Sequence, residues 1–242
     1  TYIANFFYDW SQENIASISK KNSKYYSKLN VKKFDKLTNV KNQIINIGFV
    51  SCDLIRNHSI YYFLKDTLKY IDKSKFRIFI FSLTKKDTND VSQNHLRELS
   101  DEWFDLQEFN NQKVSEIIQE KKIEILFDLV GYTNSKRIGI FNSRVAPIQI
   151  SWLAYCNTTG FDTVDYLLAD KNLIYENEYN LYSEKIIKLP NIWNAHCGFK
   201  YERKFNELKA PYQKYFTFGS LNNFMKISDE TIDAWSMILT KV

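Results

Sequence analysis

The feature that most constrains the fold is a series of short, nearly unbroken apolar runs, each followed by a stretch with helical spacing. "IINIGFV" (44–50), "FRIFIFSL" (76–83) and "IEILFDLVG" (123–131) are dominated by Ile, Phe, Val and Leu. A strand with one wet face alternates apolar and polar residues, so runs this continuous indicate strands buried on both faces of a parallel sheet. Residues 58–71, 90–101 and 112–121 carry apolar positions three and four apart and are expected to be the intervening helices. "EWFDL" (102–106), "PIQISWLAY" (147–155), "VDYLLAD" (164–170) and "KIIKLP" (185–190) continue the strand series. The expected class is α/β, a doubly wound parallel sheet.

The two ends follow different rules. Residues 1–20 contain no Pro or Gly and place Ile3, Phe6, Phe7, Trp10 and Ile15 at spacings that suit one docked helix. Residues 20–43 are rich in Lys and Asn with isolated anchors such as Tyr25, Leu29 and Phe34, the pattern of a connecting segment on the surface. After Pro211 the rhythm restarts, with a strand expected at 215–219, a Gly-containing turn, and a helix capped by Ser228 or Asp229. One such unit cannot bury its own faces, so the chain is expected to be part of something longer. The expected division is 1–43 as helical join and linker, 44–210 as the first lobe, and 211–242 as the start of a second.

Composition excludes several classes. No stretch approaches the about 18–20 apolar residues needed to cross a bilayer, and no signal peptide is recognisable at the start, so a cytoplasmic protein is expected. The net charge of +5 comes from 33 basic and 28 acidic residues spread along the chain. A nucleic-acid footprint needs clustering on one face, so no nucleic-acid partner is expected. Cys52, Cys156 and Cys197 are too few and scattered for a disulfide framework, and His196–Cys197 alone does not make a zinc site. Dinucleotide-binding, Walker and nucleophile-elbow glycine patterns are all absent.

In an open α/β sheet, ligands collect beyond the carboxyl ends of the strands. Asp53 and His58 follow the first run, and Ile60, Leu64, Leu68 and Ile71 then recur at helical spacing, with Asn57 or Ser59 expected as N-cap. At the positive end of a helix His58 is held neutral and can exchange a proton near neutral pH; alternatively it is only a cap. "FDLVGYTNSKR" places Gly131, Tyr132 and Thr133 after another strand, and "WLAYCNTTG" places Tyr155, Asn157, Thr158 and Thr159 after a third. Hydroxyls and amides of this kind suit a sugar or peptide, although Thr158–Thr159–Gly160 also reads as a plain turn. Lys226, in "GSLNNFMKISDE", stands just before a helix N-terminus, where a lysine can add charge to amides that hold phosphate, or can simply face solvent.

Six blocks in order, "IGFVSCDLIRNHSIYYFL", "ILFDLVGYT", "APIQISWLAYCNTTG", "DYLLAD", "YSEKIIKLP" and "FTFGSLNNFMKISDETIDAW", resemble the O-linked N-acetylglucosamine transferase and SPINDLY family of glycosyltransferases. The resemblance implies a GT-B architecture of two Rossmann-like lobes with the active site between them, and a tetratricopeptide array joined through residues 1–43. It implies metal-independent, inverting transfer of N-acetylglucosamine from UDP-N-acetylglucosamine to Ser or Thr of a protein or peptide acceptor, with no cofactor beyond the donor. GDP-fucose or UDP-glucose as donor, and a non-catalytic interaction module, are the alternatives. Carried over by motif, His58 is the active-site histidine, with Asp53 an alternative base acting through water. Lys226 meets the donor diphosphate, and Asn223, Leu153 and Ala154 also contact the donor. From their places after strands, Tyr132, Thr133, Tyr155 and Thr158 are expected to line the acceptor side of the crevice. This chain departs from the family in His58–Ser59 for His–Pro, and in Ala154–Tyr155–Cys156–Asn157–Thr158 for Gly–Tyr–Pro–Gly–Thr. The isolated chain is expected to show little turnover.

Overall fold

The computed structural model describes residues 1–6, 10–32, 44–198 and 217–241. Among these residues seven parallel strands form one sheet: β1 (Ile45–Ser51), β2 (Phe76–Ser82), β3 (Glu102–Asp105), β4 (Ile125–Asp128), β5 (Ile148–Ser151), β6 (Tyr166–Ala169) and β7 (Lys185–Lys188). Their spatial order is β3-β2-β1-β4-β5-β6-β7. Register is set by pairs such as Ile47 with Ile78 and with Ile125 across β1. The chain steps outward from β1 to β3, then returns to place β4 on the other side of β1. That reversal opens a crevice above the carboxyl ends of β1 and β4, the switch point of a doubly wound sheet.

The continuous apolar strands feed two cores by alternation, since successive side chains point to opposite faces. Phe49, Ile78 and Ile80 join one cluster, completed by Ile60, Leu64 and Leu68 of helix α2 (Ser59–Tyr70) and Leu96 of α3 (Val91–Leu99). Val50, Phe79 and Phe81 join the other, with Val114 and Ile118 of α4 (Asn111–Glu120). Each of these large side chains contributes roughly 1.5–3 kcal/mol by leaving water. A charge placed at any of them would desolvate without a partner.

Four expectations are corrected. The described part of residues 1–20 holds two elements: a 3-10 turn at Ile3–Phe6 and helix α1 (Gln12–Ser23). Ser11 is the cause. Its extended backbone and an Oγ that accepts from the Asn14 amide at 3.3 Å make it an N-cap, so the helix begins anew there. Ile3 is exposed and Ile15 buried, while Phe7 and Phe34 lie outside the described residues. The strand expected at 147–155 ends at Ser151, because Trp152 to Tyr155 turn. Thr217, Phe218 and Gly219 are not in a strand, and residues 215–216 and the expected boundary at 210 lie outside the described residues. Lastly, neither Asn57 nor Ser59 caps α2, for reasons that belong to the site.

The helix expected after Lys226 forms as α5 (Asp229–Leu239), with Ser228 as N-cap and Asp229 and Glu230 in its first turn. Among the described residues no helix is long and apolar enough to cross a membrane.

Candidate active site

The loop from β1 to α2 is held from several sides. Ser51 Oγ accepts from the Asp53 amide at 3.1 Å, Thr84 Oγ1 accepts from the Leu54 amide at 2.9 Å, and Asp90 Oδ2 accepts from the Arg56 amide at 2.9 Å. Asn57 then takes a left-handed conformation (φ 65°), which an Asn tolerates because its short side chain bonds locally. The reversal makes His58 itself the N-cap of α2, with extended backbone and Nδ1 accepting from the Ile60 amide at 3.4 Å. A ring that accepts at Nδ1 carries its neutral-form proton on Nε2. Nε2 lies 4.0 Å from Asp53 Oδ1, too long for a direct hydrogen bond and short enough for one hydroxyl oxygen, set to the side of the line joining them, to contact both. The two side chains are 37% and 28% exposed, open to a ligand yet partly dry. Burial pushes the Asp53 carboxyl above its ordinary value, against the pull of His58, which improves it as a proton acceptor.

Across the switch point β4 ends in Asp128. It is 1% exposed; Oδ1 accepts from the Val130 and Gly131 amides at 2.8 and 3.1 Å, and Oδ2 has no partner among the described residues. Burial raises this carboxyl to about 6. Cys52, next to Asp53, is pushed up to about 12 by burial and by the Asp53 and Asp128 charges, so it stays a thiol at neutral pH.

β5 ends in a strained turn. Leu153 has φ 65°, and the Ala154 amide donates to the Trp152 carbonyl at 2.9 Å, closing a γ-turn around a side chain that disfavours this conformation. Leu153 is buried and Ala154 half-buried. Ala154 itself does not need positive φ, so the backbone admits alanine where the family has glycine. One anchor of the turn is the 190–198 segment: Trp193 accepts from Trp152 Nε1 at 2.8 Å through its carbonyl and donates its amide to Asp170 Oδ2 at 3.0 Å.

The candidate residues therefore separate into groups. Asp53 and His58 are brought together, as are Leu153, Ala154 and Tyr155. The hydroxyls expected on the acceptor side are largely engaged elsewhere. Tyr132 is buried and donates to the Thr159 carbonyl at 2.7 Å. Thr158 is wholly buried, donates to Glu184 Oε2 at 2.7 Å, and accepts from the Gly160 and Ser183 amides. Tyr155 is buried and its hydroxyl accepts from Asn5 Nδ2 at 3.2 Å. These three hold the β5–β6 loop; Thr133 alone of the four is exposed, its hydroxyl donating to the Val130 carbonyl. Lys226 and Asn223 share one exposed 3-10 turn, in which Asn223 caps Met225 and its carbonyl accepts from the Lys226 amide at 3.0 Å. Sequence reasoning passed over Asp128, Glu184 and Trp193. An acid interrupting the apolar run "ILFDLVG" was the available signal for Asp128. Glu184, buried against the Thr158 and Thr159 hydroxyls, lies in a lysine-rich stretch that reads as surface. Among the described residues no group of three His, Cys, Asp or Glu side chains could hold a metal ion.

A seven-stranded parallel sheet with a His–Asp pair at its switch point and a strained loop beside it defines a doubly wound, Rossmann-like α/β domain with a candidate site at the carboxyl ends of its strands. Residues 13–210 match the profile of glycosyl transferase family 41, and the chain belongs to that family. It is 30% identical over 200 residues to the probable UDP-N-acetylglucosamine–peptide N-acetylglucosaminyltransferase SPINDLY of Petunia hybrida, covering 81% of this chain and 21% of that protein. It is 28% identical over 211 residues to the probable enzyme SEC of Arabidopsis thaliana, covering 82% and 21%. Among solved structures, a mutant O-GlcNAc transferase from Thermobaculum terrenum superposes with a TM-score of 0.71 at 26% identity, over 78% of this chain and 36% of that one. The chain thus spans about a fifth of the length of the curated relatives it matches.

Proposed function

We propose that the protein containing this chain is a protein O-glycosyltransferase, inverting and metal-independent, that moves N-acetylglucosamine from UDP-N-acetylglucosamine to Ser or Thr hydroxyls. Family membership and the printed names of the relatives support the class. The observation that carries the chemistry is the Asp53–His58 pair, half-open at the switch-point crevice.

In this reading the acceptor hydroxyl lies between His58 Nε2 and Asp53. Its oxygen attacks the anomeric carbon from the face opposite the diphosphate, the bond from that carbon to the diphosphate oxygen breaks, and its electron pair leaves with UDP. The hydroxyl proton passes to Asp53. His58, fixed by its Nδ1 cap bond, directs its Nε2–H toward the reacting oxygens and keeps the pair oriented. Lys226 and the amides of its turn meet the diphosphate and stabilise the charge that grows on it, the task a metal ion performs in other enzymes. Leu153 and Ala154 form the wall against the sugar. The lobes are residues 44–210 and a second one beginning at 211, with residues 1–43 leading to a tetratricopeptide array in a cytoplasmic protein.

His58→Asn tests the site, because Asn is an excellent N-cap but no imidazole. In the full-length protein kcat is expected to fall about 10²-fold or more, the scale of losing one preorganised hydrogen-bond donor at the reacting oxygens, with the melting temperature unchanged. Unchanged turnover would show that His58 only starts a helix.

A further inference from the structure

The strained turn at Leu153 needs something to hold it, since a leucine at positive φ persists only where its surroundings over-determine it. On the Trp152 side the holder is Trp193. On the other side the next residue, Tyr155, is held by the N-terminal segment: its hydroxyl accepts from Asn5 Nδ2 at 3.2 Å, although the two lie 150 positions apart. Its ring stands edge-on to Tyr132 at 5.4 Å, and a Cβ on Gly131 would come within 2.1 Å of Tyr155 Cβ, so the side chain has no room to shift toward β4. Two residues on, Asn157 Nδ2 donates to Gln12 Oε1 at 3.0 Å and to Asn5 Oδ1 at 3.4 Å. Asn157 stands where the family pattern has glycine, so this part of the contact belongs to this chain's own sequence.

We infer that the N-terminal segment is a positioning element for the donor loop, with Asn5 acting through the Tyr155 hydroxyl to keep Leu153 and Ala154 in their γ-turn. Neither Asn5 nor Tyr155 touches the reacting atoms; each sets the wall against which the sugar lies. The inference rests on the functional reading above for the word donor, and on geometry alone for the clamp. Any change upstream that pulls Asn5 away releases the turn, so the fraction of molecules with a competent donor pocket falls and the apparent donor affinity falls with it.

The test uses the full-length protein as wild type, Asn5→Ala, Tyr155→Phe and the double variant. Donor KM is expected to rise about 3–10-fold in each single variant, the scale of one neutral hydrogen bond, with kcat and acceptor KM within about twofold. The double variant should be no worse than Asn5→Ala, which already removes the Tyr155 contact together with the one from Asn157. Amide hydrogen exchange over residues 153–156 should quicken in all three, which needs no activity to read. Additive effects in the double variant, or a loss of melting temperature with kcat and both KM values moving together, would overturn the clamp and leave a plain structural role. If the wild type transfers no sugar, the functional reading fails by itself, and unchanged exchange over 153–156 would then reject the clamp independently.

Discussion

At the scale of single residues, the site is shaped by which carboxylates are buried and how each is paired. Asp128 takes two amide hydrogens on one oxygen and none on the other, and burial holds its carboxyl at about 6 against an ordinary 3.8. A raised acid means the folded state binds more protons than the unfolded one between those two values. Stability therefore falls as pH rises through this window, and the penalty is fully present above about 6. Asp128→Asn keeps the Oδ1 acceptor and removes the titration. Relative to wild type it should gain on the order of 3 kcal/mol between pH below 3.8 and pH above 6, as read from denaturant melts at each pH. Parallel curves would mean that Asp128 is not the titrating group. Cys52 makes a simpler case. Held near 12 and half-buried, it should be alkylated at neutral pH much more slowly than exposed Cys197, a difference that peptide mass mapping reads directly.

Elements come next, and here glycine decides how the N-terminal helix docks. Gly160 has φ +73°, and a Cβ there would lie 2.6 Å from the Ser19 backbone of the Gln12–Ser23 helix. Gly160→Ala should cost at least about 1–3 kcal/mol through the left-handed backbone alone, with more from the clash, measurable as a lowered melting temperature. A variant as stable as wild type would mean that the helix does not sit on this loop. The strands and helices of the sheet were legible because short apolar runs alternate with helical spacing: Phe79 and Phe81 face one core and Ile78 and Ile80 the other, as a strand buried on both faces requires. Ser11 was missed because one cap outweighs the helical spacing on either side of it. His58 as cap stood only as the alternative to an active-site role, with Asn57 or Ser59 expected to cap, because histidine seldom plays that part and the left-handed Asn57 that puts it there leaves no mark in an amphipathic pattern. The Asp53–His58 pair could be read from its place after a strand. The buried Thr158–Glu184 contact could not, since it joins residues 26 positions apart through a loop with the composition of a turn.

On the scale of the molecule, we place the chemistry in a crevice at one lobe's switch point and the donor's charge on Lys226 in the segment that follows. Lys226→Ala should reduce donor kcat/KM by the equivalent of about 2–4 kcal/mol and leave acceptor KM nearly unchanged, while Lys226→Arg restores only part, because a forked guanidinium does not fit the place of a compact ammonium. Normal steady-state constants in the alanine variant would return Lys226 to solvent. The most direct measurement of the central claim is the intact mass of a Ser/Thr acceptor peptide after incubation of the full-length protein with an equimolar mixture of UDP-N-acetylglucosamine, UDP-glucose and GDP-fucose. A single N-acetylhexosamine adduct is expected, lost in His58→Asn. A deoxyhexose or hexose adduct would contradict the donor assignment, and an adduct that persists at full rate in His58→Asn would contradict the site.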